Sequence, residues 1–186
     1  IARVLPAVSG SEFKPELAGV FMRFGGDTIT LAATDTFRLA ECVLPLTPPN
    51  TSGDPVSCII PERTAQEITR ILDHDTENAV ISLGENQLLV EVTEGKIVSR
   101  LIEGNFPDYR AIIPTHFTTS AYIKKNELVA GIRSASIFAS KLQETTISFS
   151  SRGLEIAAAN PDVGDYRVTV PAAFSGKEIS MSFNWR

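Results

Sequence analysis

An internal repeat constrains this chain more than any other feature. Three segments share one pattern: MRFGGDTITLAAT from Met22, ISLGENQLLVEVT from Ile81 and ISFSSRGLEIAAA from Ile147. Each is an alternating run, a turn rich in Gly, Asp, Asn or Ser, and a second alternating run. That is the signature of a β-hairpin. A second element precedes two of them. VSCIIPERTAQEITRIL from Val56 and SAYIKKNELVAGIRSASIF from Ser120 each read as a short strand followed by a helix. Pro61 suits a helix start, and Asn126-Glu127 suits a cap. EISMSFNWR closes the chain as a further strand about to enter a helix. A recurrence of about 60–65 residues marks a repeated architecture. It also places an opening strand before Ile1, so IARVLPAVSG is expected to be the tail of a helix. Both ends therefore read as cut.

The predicted helices are amphipathic. In the first, Ala65, Ile68, Ile71 and Leu72 form the apolar stripe, opposite Arg63, Glu67, Arg70 and His74. In the second, Leu128, Val129, Ile132 and Phe138 are expected to be buried and Lys125 and Arg133 exposed. By periodicity alone these basic residues are a solvated helix face. PLTPPNTSGDP, between Glu41 and Val56, is a Pro/Gly-rich loop. PDYRAIIPTHFTTS, from Pro107 to Ser120, is a second connector. It divides the chain into a domain over 1–115 and another over 116–186.

Composition narrows the function classes. Hydrophobic residues make up 43% and charged residues 21% of the 186, a globular balance that excludes a disordered or collagen-like chain. The apolar runs are too short and broken for a spanning helix, and no signal peptide is expected. The formal charge of −5 speaks against tight gripping of nucleic acid. Cys42 and Cys58 lie in alternating apolar runs, where a buried, reduced thiol acts as a small hydrophobe. That usage predicts a cytoplasmic protein. His74, with Asp73 and Asp75, lacks a second His or Cys at ligand spacing and reads as a solvated turn, as does His116. Asn50-Thr51-Ser52 fits a glycosylation acceptor or, in a cytosolic chain, a turn. No nucleophile elbow, phosphate-cradling loop or paired-carboxylate motif is present. Neither a metal, a cofactor nor enzyme chemistry is expected.

Two segments are more specific than the repeat: ATDTFRLAE (Ala33 to Glu41) and EGNFPDYRAIIP (Glu103 to Pro114). By itself the first reads as a strand with a turn. Together with PELAGVFMRF from Pro15 and the repeats in register, they resemble the bacterial beta sliding clamp of DNA polymerase III over the whole chain. The family pattern for the first is Ala-Thr-Asp-Gly-His-Arg-Leu-Ala. Thr34, Asp35, Arg38 and Leu39 match it, and Thr36 and Phe37 replace Gly-His. The second pattern is Gly-Arg-Phe-Pro-Asp-Tyr-Arg, from which Asn105 departs.

The resemblance implies an α+β DNA-clamp fold of strand-helix-hairpin units, with sheets outside and helices on the inner face. The chain would hold most of the middle domain and the first part of the last. It implies a non-enzymatic processivity factor, a head-to-tail homodimer ring encircling duplex DNA without reading sequence. Arg63, Arg70 and Arg133 then become neighbours of phosphate. It also implies capture of DNA polymerase III, the clamp loader and repair proteins through short linear peptides. The pocket would include Leu17, Thr34, Thr36, Phe37, Arg38, Leu39, Pro107 and Ile112, with Leu142 and Asn184 from less distinctive stretches. Leu17, Leu39, Pro107 and Ile112 would give apolar contact, and Thr34 and Arg38 hydrogen bonds. Ala111 stands where a basic residue is common. Ile137 and Phe138 fit either the ring interface or burial within the domain. The alternative function is an interaction scaffold of the same fold that does not encircle DNA.

Overall fold

The structure is a computed structural model and describes all residues except 12, 47–53, 73–77, 94 and 186. His74 and Asn50-Thr51-Ser52 therefore lie outside the described residues. The chain divides into two compact units, Ile1–Ile112 and Ile113–Arg186.

In the first unit the expected hairpin is β1 (Gly19–Gly25) and β2 (Thr28–Thr34), in register with Met22 opposite Leu31. The chain continues through β3 (Leu39–Pro45) and β4 (Val56–Pro61), giving a sheet in the order β3-β2-β1-β4. Helix α1 (Glu62–Leu72) follows directly on Pro61. The second hairpin, β5 (Val80–Leu83) and β6 (Gln87–Val92), gains a third strand, β7 (Gly95–Arg100). The alternation works as the pattern requires. Val20 and Met22 of β1, Leu31 and Ala33 of β2, Ile60 of β4 and Ile68 of α1 meet in one core. Each large side chain among them contributes roughly 1.5–3 kcal/mol on leaving water. Leu88 and Val90 of β6 join the same core.

The second unit repeats the scheme. It runs β8 (Thr119–Ile123), α2 (Lys125–Ser136), β9 (Glu144–Ser150), β10 (Gly153–Asn160) and β11 (Gly164–Val170). Two further strands follow, β12 (Ala172–Gly176), paired with β8, and β13 (Ile179–Asn184), paired with β9. The sheet order β11-β10-β9-β13 has the same plan as β3-β2-β1-β4: a three-strand meander with a later strand added beside its first. Its core is smaller, centred on Ala135, Leu154, Ile156, Ala158 and Val170. Gly131 lets α2 lie close to this sheet, because a Cβ there would come within 2.7 Å of Ile156 Cδ1.

Several expectations change. Residues Ile1 to Ala7 form a turn and a short 3-10 segment, Leu5–Ala7, rather than the last turns of an α-helix. The repeating element is a three-strand meander rather than a hairpin. Asn126 lies inside α2, whose N-cap is Lys124 with no side-chain cap bond. Val129 is exposed, one position off the stripe that faces β10 and β11. Cys42 and Cys58 are half-buried free thiols packed against the edge of the first core. Desolvation by burial pushes the Cys58 thiol up to about 11, which keeps it protonated and unreactive at neutral pH.

Candidate functional site

The two motif segments, far apart in sequence, are joined in the first unit by one carboxylate. Glu41 of β3 accepts a hydrogen bond from the Tyr109 hydroxyl at 2.6 Å and is ion-paired with Arg110 at 3.2 Å. Tyr109 is buried and meets Phe106 and Phe21 edge to face, while Phe21 and Phe106 stack at 5.0 Å. Aromatic pairs of this geometry contribute about 0.5–1.5 kcal/mol beyond their buried area. Burial and the Glu41 carboxylate push the Tyr109 hydroxyl up, so it stays a donor. The 3-10 turn Tyr109–Ile112 is thereby fastened to β3.

A hydrogen-bonded turn leads into the same end of β3, two residues before Glu41. The Asp35 carboxylate accepts the backbone N–H groups of Phe37 (3.0 Å) and Arg38 (2.9 Å) and the Arg38 guanidinium (3.0 Å). Burial alone would raise this carboxyl, but the three donors hold it below the ordinary carboxylate value. Thr34 closes the turn from beneath: its hydroxyl donates to the Arg38 carbonyl at 2.8 Å and accepts the Thr36 N–H at 3.2 Å. Thr36 has φ +77°, a left-handed conformation that a β-branched residue adopts only at a cost. Phe37, at the tip, is 96% exposed.

The expected pocket residues are thus distributed unevenly. In the first unit Leu39 is half-buried at the start of β3, with Pro107 and Ile112 exposed. Leu17 is 3% exposed, inside the unit beneath the start of β1, so it supports a surface more than it forms one. Thr34 spends its donor inside the turn, leaving an acceptor lone pair. Leu142 and Asn184 lie in the second unit and are neighbours there. Asn184 pairs with Glu144, and Trp185 is bonded to Gln143 through both its backbone and its indole N–H. Leu142 is 70% exposed on that loop. Sequence reasoning assigns no role to Asp35, Glu41, Tyr109 or Arg110, which position the site. An Asp two residues before a turn tip is the available signal for the first.

The helices present their basic residues as the periodicity predicts. Arg63, Arg70 and Arg133 are exposed, while Ala65, Ile68 and Ala135 are buried against their sheets. Arg70 is ion-paired with Glu67 at 2.7 Å, so its charge is shared. Ile137, just past α2, is 69% exposed, whereas the neighbouring Phe138 stacks on Tyr166 at 5.6 Å. Among the described residues no cluster of His, Cys, Asp and Glu is placed to hold a metal, and no helix is long and apolar enough to cross a membrane.

The family model for the DNA polymerase III beta subunit, central domain, matches residues 1–108, and that for its C-terminal domain matches residues 110–186. The chain belongs to this family. The beta sliding clamp of Bacillus subtilis is 29% identical over 99% of the chain, and that of Chlamydia trachomatis 28% identical over 96%. The chain covers 49% and 42% of these two relatives, so it spans about half the length of a beta clamp. The crystal structure of the DNA polymerase III subunit beta from Pseudomonas aeruginosa superposes with a TM-score of 0.91 at 26% identity, covering all of this chain and 50% of that one. The strand-rich α+β architecture is the clamp fold. The two clamp family segments meet near residue 109, inside the Tyr109–Ile112 turn that Glu41 anchors.

Proposed function

We propose that the chain is the central and C-terminal part of a processivity clamp, a homodimeric ring in the cytoplasm that encircles duplex DNA and tethers a replicative polymerase. The ring itself performs no chemistry. One observation carries the DNA role: in each unit the helix covers its sheet with small and apolar residues and turns arginine to solvent. A sleeve needs only sparse positive charge, because topology rather than affinity retains it; phosphate contacts then position the duplex without reading bases. Arg70 is held by Glu67, whereas Arg63 and Arg133 make no ion pair among the described residues. The exposed Ile137 suits the subunit contact that closes the ring.

The same reading makes the face around Leu39, Pro107 and Ile112 in the first unit a peptide site, and makes Leu142 and Asn184 candidate peptide contacts on the second unit. Polymerase, clamp loader and repair proteins dock there through short apolar anchors. A few apolar residues framed by fixed polar groups suit such an anchor.

A processivity assay with the full-length protein tests the DNA role. Arg63→Glu combined with Arg133→Glu should leave the melting temperature unchanged, since both side chains are exposed. Product length should fall several-fold, with a larger deficit at low salt. Unchanged product length with the doubly reversed protein would contradict it.

A further inference from the structure

We propose that the cavity between β1, β4 and the segment after β7, within the first unit, binds an extended peptide segment of a partner protein that carries a basic side chain. The inference goes beyond the clamp reading and uses none of Leu39, Pro107 and Ile112.

Unspent polar groups are the first observation. The cavity holds about 590 Å³. Six polar side chains line it: Arg23 of β1, Ser57 of β4, Glu85 and Asn86 of the β5–β6 turn, and Glu103 and Asn105 of the segment after β7. Among the described residues none of the six makes a hydrogen bond or an ion pair through its side chain. The apolar wall is Phe21, stacked on Phe106 at 5.0 Å, with Ile59 and Ile102. An apolar wall with a few convergent polar groups is the build of a binding site.

Charge and backbone name the occupant. Glu85 and Glu103 stand against Arg23, which leaves the cavity an excess of negative charge. The Arg of the family pattern is replaced here by Asn105, which adds no balancing charge. A basic side chain gains from that excess and an acidic one does not. The two Asn amides each offer a donor and an acceptor, the pair that a peptide group needs. The strand edge offers the same pair. β1 sets Phe21 opposite Ile59 and Arg23 opposite Ser57. The Ile59 carbonyl turns away from β1 and accepts the Ile102 N–H at 2.9 Å. Strand alternation turns the N–H and C=O of Ser57 to that same side, where the cavity lies. An extended segment laid beside β4 meets both, with its basic side chain between the two carboxylates.

The experiment is methyl NMR on the full-length protein labelled at isoleucine, with Ile59→Val and Ile102→Val assigning the two signals that report on the cavity. The probes are acetyl-Val-Thr-Lys-Thr-Val-amide, the same peptide with Glu in place of Lys, and butylammonium. The Lys probe should shift both signals saturably and leave that of Ile112 in place. The Glu probe should bind about tenfold more weakly, the range of one charge-assisted hydrogen bond. Butylammonium, which lacks the peptide groups, should bind at least as weakly. Glu85→Gln combined with Glu103→Gln should weaken the Lys probe about tenfold and leave the melting temperature unchanged, since both side chains are exposed. The proposal is overturned if the Lys probe leaves Ile59 and Ile102 unmoved, if the Glu probe or butylammonium binds as tightly, or if the double variant keeps the wild-type affinity. A shift at Ile112 alone overturns it too, and leaves the peptide site around Leu39 standing.

Discussion

Thr36 shows how one backbone angle organises the site. Its φ of +77° lets the chain reverse between β2 and β3 while Asp35 collects the amides of Phe37 and Arg38. The family pattern carries Gly at this place, and the angle explains why: only Gly adopts it without crowding its own Cβ. For Thr the left-handed conformation costs about 1–2 kcal/mol. Replacement by Gly relieves that strain and loses about 0.4–1 kcal/mol to the freer unfolded chain. Strain relief outweighs the entropic loss, so Thr36→Gly should stabilise the protein by about 0.5–1 kcal/mol in urea unfolding. A clear destabilisation would show that the Thr side chain supports the turn. The Asp35 interactions add a pH dependence of known sign. Its carboxyl is held below the ordinary value, so its contribution is complete above the ordinary carboxylate range and is lost as pH falls through the lowered one. At this scale the sequence shows the motif letters and little else. ATDTFRLAE alone is compatible with any strand and turn. The pinning of Phe37 depends on side-chain bonds within the turn, and the grip on Glu41 on partners about 70 residues away, which no local pattern encodes.

Elements are more legible than residues. Each expected hairpin forms, because a period of two with a polar turn admits few alternatives. The third strand of each meander is harder to see. GKIVSR in β7 and GDYRVTV in β11 are half-exposed edge strands, whose alternation is diluted by polar residues on the open face. The stripe of α1 is plain in the sequence, since its Ala and Ile residues recur at helical spacing. In α2 the stripe is set by Gly131 and Ala135, small residues that carry almost no hydropathy signal. Val129, the larger apolar side chain, points the periodicity off the packed face. The close approach at Gly131 yields a direct test. Gly131→Leu would drive a side chain into Ile156, Val168 and Val170. Overpacking of this kind costs about 1–3 kcal/mol, more than the roughly 1 kcal/mol that a better helix former returns. Unfolding should show lower stability with far-UV helicity retained. Wild-type stability would mean that α2 sits further from its sheet.

At the scale of the whole molecule, the net charge of −5 acquires a mechanical meaning. A protein that gripped phosphates would need an excess of bases, whereas the ring proposed above would need only a few, on whichever faces meet DNA. On the proposed clamp reading the exposed arginines of α1 and α2 would supply that charge, and the acidic excess elsewhere would limit sticking to DNA from outside. The repeat is equally mechanical. The same sheet order recurs in both units, so one strand-helix-meander plan is used twice in the chain. Encirclement differs from adhesion in one decisive respect: it depends on whether the DNA has ends. The full-length protein should therefore be loaded by its clamp loader onto nicked circular DNA, separated from free protein, and followed after the circle is cut once by a restriction enzyme. The account predicts retention on the circle, prompt loss on linearisation, and renewed retention when both ends are blocked by bound protein. Equal retention on circular and linear DNA would contradict it.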